Sequence, residues 1–168
     1  IGLNLCPFAN AAFRKDQIAY RVSHANDPDR LLQDLASAID TLVDTPADKM
    51  DTLLLIHPWA LKDFLDFNDF VGVAENLLED SGLDGVLQIA SFHPDYQFAD
   101  AGPDDIENYS NRSPFPILHL LRRRQTTESD RCVLVVSRPP YPVLGEVQTV
   151  CRETSLLHYL QQLLVLGF

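Results

Sequence analysis

Residues 52–59 read TLLLIHPW, and the reading of this stretch decides the fold. Thr52 to Ile56 form a continuous apolar run, the pattern of a strand buried on both faces of a parallel sheet. Pro58 ends it. Two other segments close in the same way, IAYRVSHA over residues 18–25 and VLQIASFHPDY over 86–96. Each carries a histidine just past its apolar run, so that His24, His57 and His93 occupy equivalent places. If the three strands run parallel in one sheet, all three imidazoles reach one edge, the edge at which open α/β sheets bind ligands.

The segments between them are helical. Asp27-Pro28 gives a cap followed by proline at the first helical position, and Leu31, Leu32, Leu35, Ile39, Leu42 and Val43 then recur as one apolar stripe. A second helix is expected from about Ala60 to Asp80, with Leu61, Phe64, Leu65, Val73, Ala74, Leu77 and Leu78 facing inward. Strand, helix, strand, helix, strand with short joints is the βαβ signature. The expected fold is therefore α/β: a single small domain over residues 1–168. Its mostly parallel sheet has three to four strands, with helices packed on it and a long functional loop.

That loop is Pro94 to Pro116, a stretch without apolar periodicity and longer than most structureless connections. Its aromatic residues Tyr96, Phe98, Tyr109 and Phe115 argue that it folds back on the sheet edge. Ile1 to Arg14 reads as a broken helical start, Ile117 to Arg124 as a helix, Cys132 to Ser137 as a further strand and Glu153 to Leu166 as a closing helix. The run Arg122-Arg123-Arg124 reads as a basic last helical turn complementing the macrodipole, with a small anion-binding patch as the sharper alternative.

With 46% hydrophobic and 22% charged residues, the chain has the composition of a globular protein. Its formal charge of −11 points away from nucleic acid and from anionic membrane surfaces as partners. No apolar run approaches the roughly 20 residues that span a bilayer. Cys6, Cys132 and Cys151 form neither a CxxC pair nor an even set, which fits a reducing, cytoplasmic setting better than secretion. No oligomeric state is implied.

Three constellations could carry chemistry. His57, His93 and His24 are candidate metal ligands, with a divalent ion such as zinc as the implied cofactor, because three ligands plus an open position is the pattern of catalytic zinc. Asp95 would then be a ligand, an orienting group or a general base. The more ordinary reading is that each His-Pro is a turn whose ring caps backbone groups. Cys6, near a helix N-terminus, is a candidate nucleophile if its thiolate is stabilised, or else a small buried hydrophobe. Asn108, Asn111, Arg112 and Ser113, with Tyr96 nearby, offer donors for an anionic small molecule, since guanidinium pairs bidentately with carboxylate or phosphate. Equally, Arg112 pairs with Asp104, Asp105 or Glu107 and pins its own loop. The acids Asp63, Asp66 and Asp69 read as a solvated helix face.

The strings IGLNLCPFA, LIHP, DFLDFNDF, QIASFHPDYQFA and ENYSNRSPFPILHLLR, in that order, resemble a bacterial family known as domain of unknown function 1415. The resemblance covers about residues 1–125 and leaves 126–168 divergent. It implies a small cytoplasmic protein whose recurrent motifs are matched here by Cys6, His57, His93 and Arg112, and it carries no activity. The expectation is an enzyme of hydrolase or group-transfer type, metal-assisted if a metal is present, acting on an anionic small molecule. His93, Asp95 and Cys6 would be its catalytic residues. The alternative is a non-catalytic module binding an anionic metabolite.

Overall fold

A computed structural model of the chain describes residues 12–123. The expected helix up to Arg14 is helical at residues 12–14. The remainder of that segment, Cys6, the expected strand at Cys132–Ser137 and the closing helix at Glu153–Leu166 lie outside the described residues.

Strand β1 (Ile18–Val22) leads into helix α1 (Pro28–Asp44), then β2 (Thr52–Ile56), helix α2 (Phe64–Asp80) and β3 (Leu87–Phe92). A 3-10 turn at Ile106–Ser110 and strand β4 (Ile117–Arg122) follow. Helix α1 starts as its sequence dictates: the Asp27 side chain accepts a hydrogen bond from the Arg30 amide at 2.8 Å, with Pro28 in the first turn. Helix α2 starts at Phe64, later than the expected Ala60. Asp63 is its cap, accepting from the amides of Leu65 and Asp66, so this acid is a capping group and not part of a solvated helix face.

The sheet corrects two expectations. Ile117–Arg122 is a strand and not a helix, and it lies between β2 and β3 in the order β1-β2-β4-β3. Only β1 and β2 pair in parallel, while β4 is antiparallel to both β2 and β3. The sheet is thus mixed, not mostly parallel. The physical reason is that β4 is central and covered on both faces, so its apolar run shows no alternation for the sequence to display.

Two reversals across β4 nevertheless leave β1, β2 and β3 pointing the same way. Their last residues form one row, with Val22 opposite Ile56, and Ile56 and Phe92 both opposite Ile117. The ends of all three strands share one rim.

Both long helices pack on one face of the sheet. Leu31, Leu35, Ile39 and Leu42 of α1 and Phe67, Phe70, Ala74 and Leu78 of α2 join Leu53, Leu55, Leu87, Ile89, Leu118 and Leu120 in the main core. Val43, Leu65 and Val73, expected to face inward, are exposed. The second face carries a smaller cluster of Leu54, Ile56, Ala90, Phe92 and Ile117. His119 lies on that face. Its Nε2–H donates to the Thr52 hydroxyl at 2.5 Å, because the hydroxyl's own proton goes to the Leu120 carbonyl at 2.6 Å.

At the opposite end of the sheet Arg122 donates to the carbonyls of Leu42, Thr45 and Met50. A cation does complement a helix C-terminus there, but the helix is α1 and the cation comes from a strand. Among the described residues no helix is long and apolar enough to cross a membrane.

Candidate functional site

The rim places His57 and His93 beside one another and gives both rings work inside the protein. Each is fully buried. Phe67 of α2 packs against both, with ring centroids 5.8 Å from His57 and 5.1 Å from His93. His57 Nδ1–H donates to the Ala60 carbonyl at 3.2 Å. His93 Nδ1 accepts from the Asp95 amide at 3.1 Å, which leaves Nε2–H to donate to the Leu61 carbonyl at 3.2 Å. Two imidazoles, one at the start of the loop of residues 57–63 and one just past the end of β3, therefore hold consecutive carbonyls of that loop.

Both rings are neutral at physiological pH. Burial pulls His57 down from 6.5 to about 4, reinforced by the neighbouring His93 and opposed by the Ala60 carbonyl. Burial also lowers His93, against the opposing pull of the Leu61 carbonyl and the Asp95 carboxylate. His57 Nε2 is buried and accepts no hydrogen bond.

His24 stands apart from this pair. Its ring is exposed and stacks on the indole of Trp59, centroids 5.0 Å apart and 18° from parallel. Trp59 is half-exposed at the rim. Among the described residues, no three His, Cys, Asp or Glu side chains come together as a metal-binding group.

The loop residues expected to bind an anion bond to the backbone of the loop and of β3. Arg112 donates to the carbonyls of Tyr96 at 3.2 Å and Pro103 at 2.6 Å, and lies 4.8 Å from the centre of the Tyr109 ring. Buried Asn108 accepts from the Phe98 amide and donates to the Gly102 carbonyl. Asn111 donates to the Ser91 carbonyl, Ser113 to that of Phe115, and Tyr96 packs between Phe64 and Phe98. Asp95 is exposed, and its amide serves His93.

A cleft of about 340 Å³ opens on the same rim, between the end of β1 and helix α1. It is lined by Arg21, Ser23, His24, Arg30, Asp34 and Ser37, among others. Arg21 donates to Ser37 Oγ at 3.3 Å and Thr41 Oγ1 at 2.9 Å. Ser23 Oγ donates to Asp34 Oδ2 at 2.6 Å and accepts from the Ala25 amide at 3.1 Å, so its proton is already committed. Arg30 approaches Asp34 only to 3.8 Å and remains mostly in solvent.

This cleft was missed in the sequence, although a signal existed. In the alternation of IAYRV, Arg21 falls on the same side as Ala19, the side facing the helices. A cation on the inward side of a strand needs polar company.

Fold and rim together define a small α/β protein with an open mixed sheet, two helices on one face and an arginine-lined cleft at its carboxyl edge. The chain belongs to the family described as protein of unknown function (DUF1415), whose model matches residues 1–133. No curated protein and no solved structure matches the chain.

Proposed function

We propose that the protein binds an anionic small molecule in the cleft between β1 and α1. The observation that carries this reading is the cleft's lining: the Arg30 guanidinium, mostly in solvent, and an exposed imidazole stand beside Arg21 around one open space that Asp34 also lines, on a chain whose formal charge is −11. On so acidic a surface such a grouping is where an anion meets favourable potential and a charge-assisted donor fork. The loop of Arg112 braces the rim, with its Nε and one terminal nitrogen donating to the carbonyls of Tyr96 and Pro103.

Titration with inorganic phosphate by calorimetry tests the proposal. Saturable binding is expected, weakened at least about fivefold in Arg30→Gln, because a lost charge-assisted hydrogen bond accounts for roughly 1 kcal/mol or more. Absence of saturable binding, or an Arg30→Gln variant that binds as well as the parent, would overturn it.

Catalysis is the second reading, favoured by one observation: His24 brings a surface imidazole into the same cleft as Arg21 and Arg30. A hydrolytic or group-transfer step there would use His24 as the acid or base, in place of the buried His57 and His93. Release of nitrophenol from 4-nitrophenyl phosphate, abolished by His24→Ala, is the expected sign. Turnover that is absent, or indifferent to His24→Ala, leaves the binding reading alone.

A further inference from the structure

Trp59 is the only tryptophan of the chain, and it is 47% exposed. A single exposed aromatic residue needs no explanation by itself. The loop that carries this one, however, is held with unusual firmness. Two fully buried imidazoles donate to its adjacent carbonyls, Ala60 and Leu61. Leu61 also adopts a φ of 54°, a conformation that a side-chain-bearing residue rarely accepts. A strained backbone persists only where its surroundings over-determine it.

The product of that arrangement is an indole fixed at the rim and stacked on His24, which itself lines the cleft. Anchoring the loop in advance removes the ordering cost that a ligand would otherwise meet.

We infer that the Trp59–His24 stack is a recognition platform for a planar aromatic or heteroaromatic ring, so that the ligand is such a ring carrying a phosphate or carboxylate. The inference rests on the anion-binding reading of the cleft. The anionic group pairs with Arg30, whose guanidinium is mostly in solvent, and the ring lies against the aromatic stack that His24 brings to the cleft. Trp59 is thus a specificity-determining residue, and His57 and His93 are positioning residues that act through the loop.

Phenyl phosphate and inorganic phosphate separate the two contributions, and benzoate against acetate repeats the comparison for carboxylates. Phenyl phosphate is expected to bind about tenfold or more tightly than inorganic phosphate, the order that stacking on one aromatic side chain supplies. It should also change the emission of Trp59, which reports without interference from any other indole. Trp59→Leu should remove the advantage of phenyl phosphate and leave inorganic phosphate binding unaltered, with an unchanged melting temperature as the folding control. Equal affinities in the parent protein, or a Trp59→Leu variant that weakens both probes alike, would overturn the inference while the anion-binding reading stands. If no phosphate binds at all, both fall.

Discussion

His93 spends both ring nitrogens on backbone, one accepting from Asp95 and one donating to Leu61, and no part of the residue is exposed. Truncation to alanine removes both bonds, strands a carbonyl and opens a cavity against Phe64 and Phe67. His93→Ala should therefore cost about 3 kcal/mol of stability, read as a fall in urea midpoint. A variant as stable as the parent would mean that the ring is not holding the loop. Acid should act through the same groups. His57 and His119 are pushed down to about 4 and His93 is also lowered, in each case by burial first. Between about pH 6.5 and pH 4 the unfolded chain thus binds more protons than the folded one. Stability contributed by the neutral rings is complete above that window and is lost as the pH falls through it, by up to about 1.4 kcal/mol per pH unit for each histidine. The Asp95 and Asp63 carboxylates, which favour the charged form of His93, soften its share. Urea midpoints at pH 7.5 and 5 for the parent and His57→Gln check this: the parent should lose more between the two than the variant, and equal losses would contradict the assignment.

At the level of elements, β1, α1, β2, α2 and β3 were all legible in the chain because each displays its own period and its own stop, such as Asp27-Pro28 before α1 and Pro58 after β2. Strand β4 was not legible. Leu118 and Leu120 face the helices while Ile117 and Leu121 face away, so an apolar run that alternates between two buried faces looks like one side of a helix. His119 was the only polar interruption, and its partner Thr52 comes from a strand 67 residues earlier. Arg122 shows the same displacement of a correct local idea. Its guanidinium reaches the last carbonyls of α1, at Leu42 and Thr45, and the following loop at Met50, joining elements that local sequence cannot connect. Arg122→Met keeps the side-chain length and removes the donors. It should destabilise the fold by about 2 kcal/mol, as the loss of charge-assisted bonds to carbonyls implies, with a matching drop in melting temperature. A melt that does not move would show those contacts to be dispensable.

Across the whole molecule, one expectation survived the failure of the topology on which it rested. The three strand ends share an edge even though the sheet is mixed, because the single antiparallel strand β4 lies between β2 and β3 and so reverses direction twice. Which way a side chain turns beyond a strand end was not legible in the same manner. That depends on the path of residues 57–63, and a φ of 54° at Leu61 has no signature in a residue type that usually avoids it. The molecule is accordingly unequal along its strands. One end is tied by Arg122 and by Gln17, whose amide donates to the carbonyls of Ala47 and Asp48, with the single neutral ring of His119 bonded to Thr52; the carboxyl rim is tied by two neutral histidines side by side. Regions open locally with free energies set by their own contacts, so mild acid should loosen the rim first. Hydrogen exchange followed by mass spectrometry at pH 7 and pH 5, corrected for intrinsic rates, should show protection lost early in peptides covering 57–63 and 93–96. Peptides covering the paired centres of β2 and β4, where Leu53 faces Leu120 and Leu55 faces Leu118, should keep theirs. Loss that begins at the Arg122 end, or that spreads evenly over the sheet, would show that the buried imidazoles are not what couples the rim to the fold.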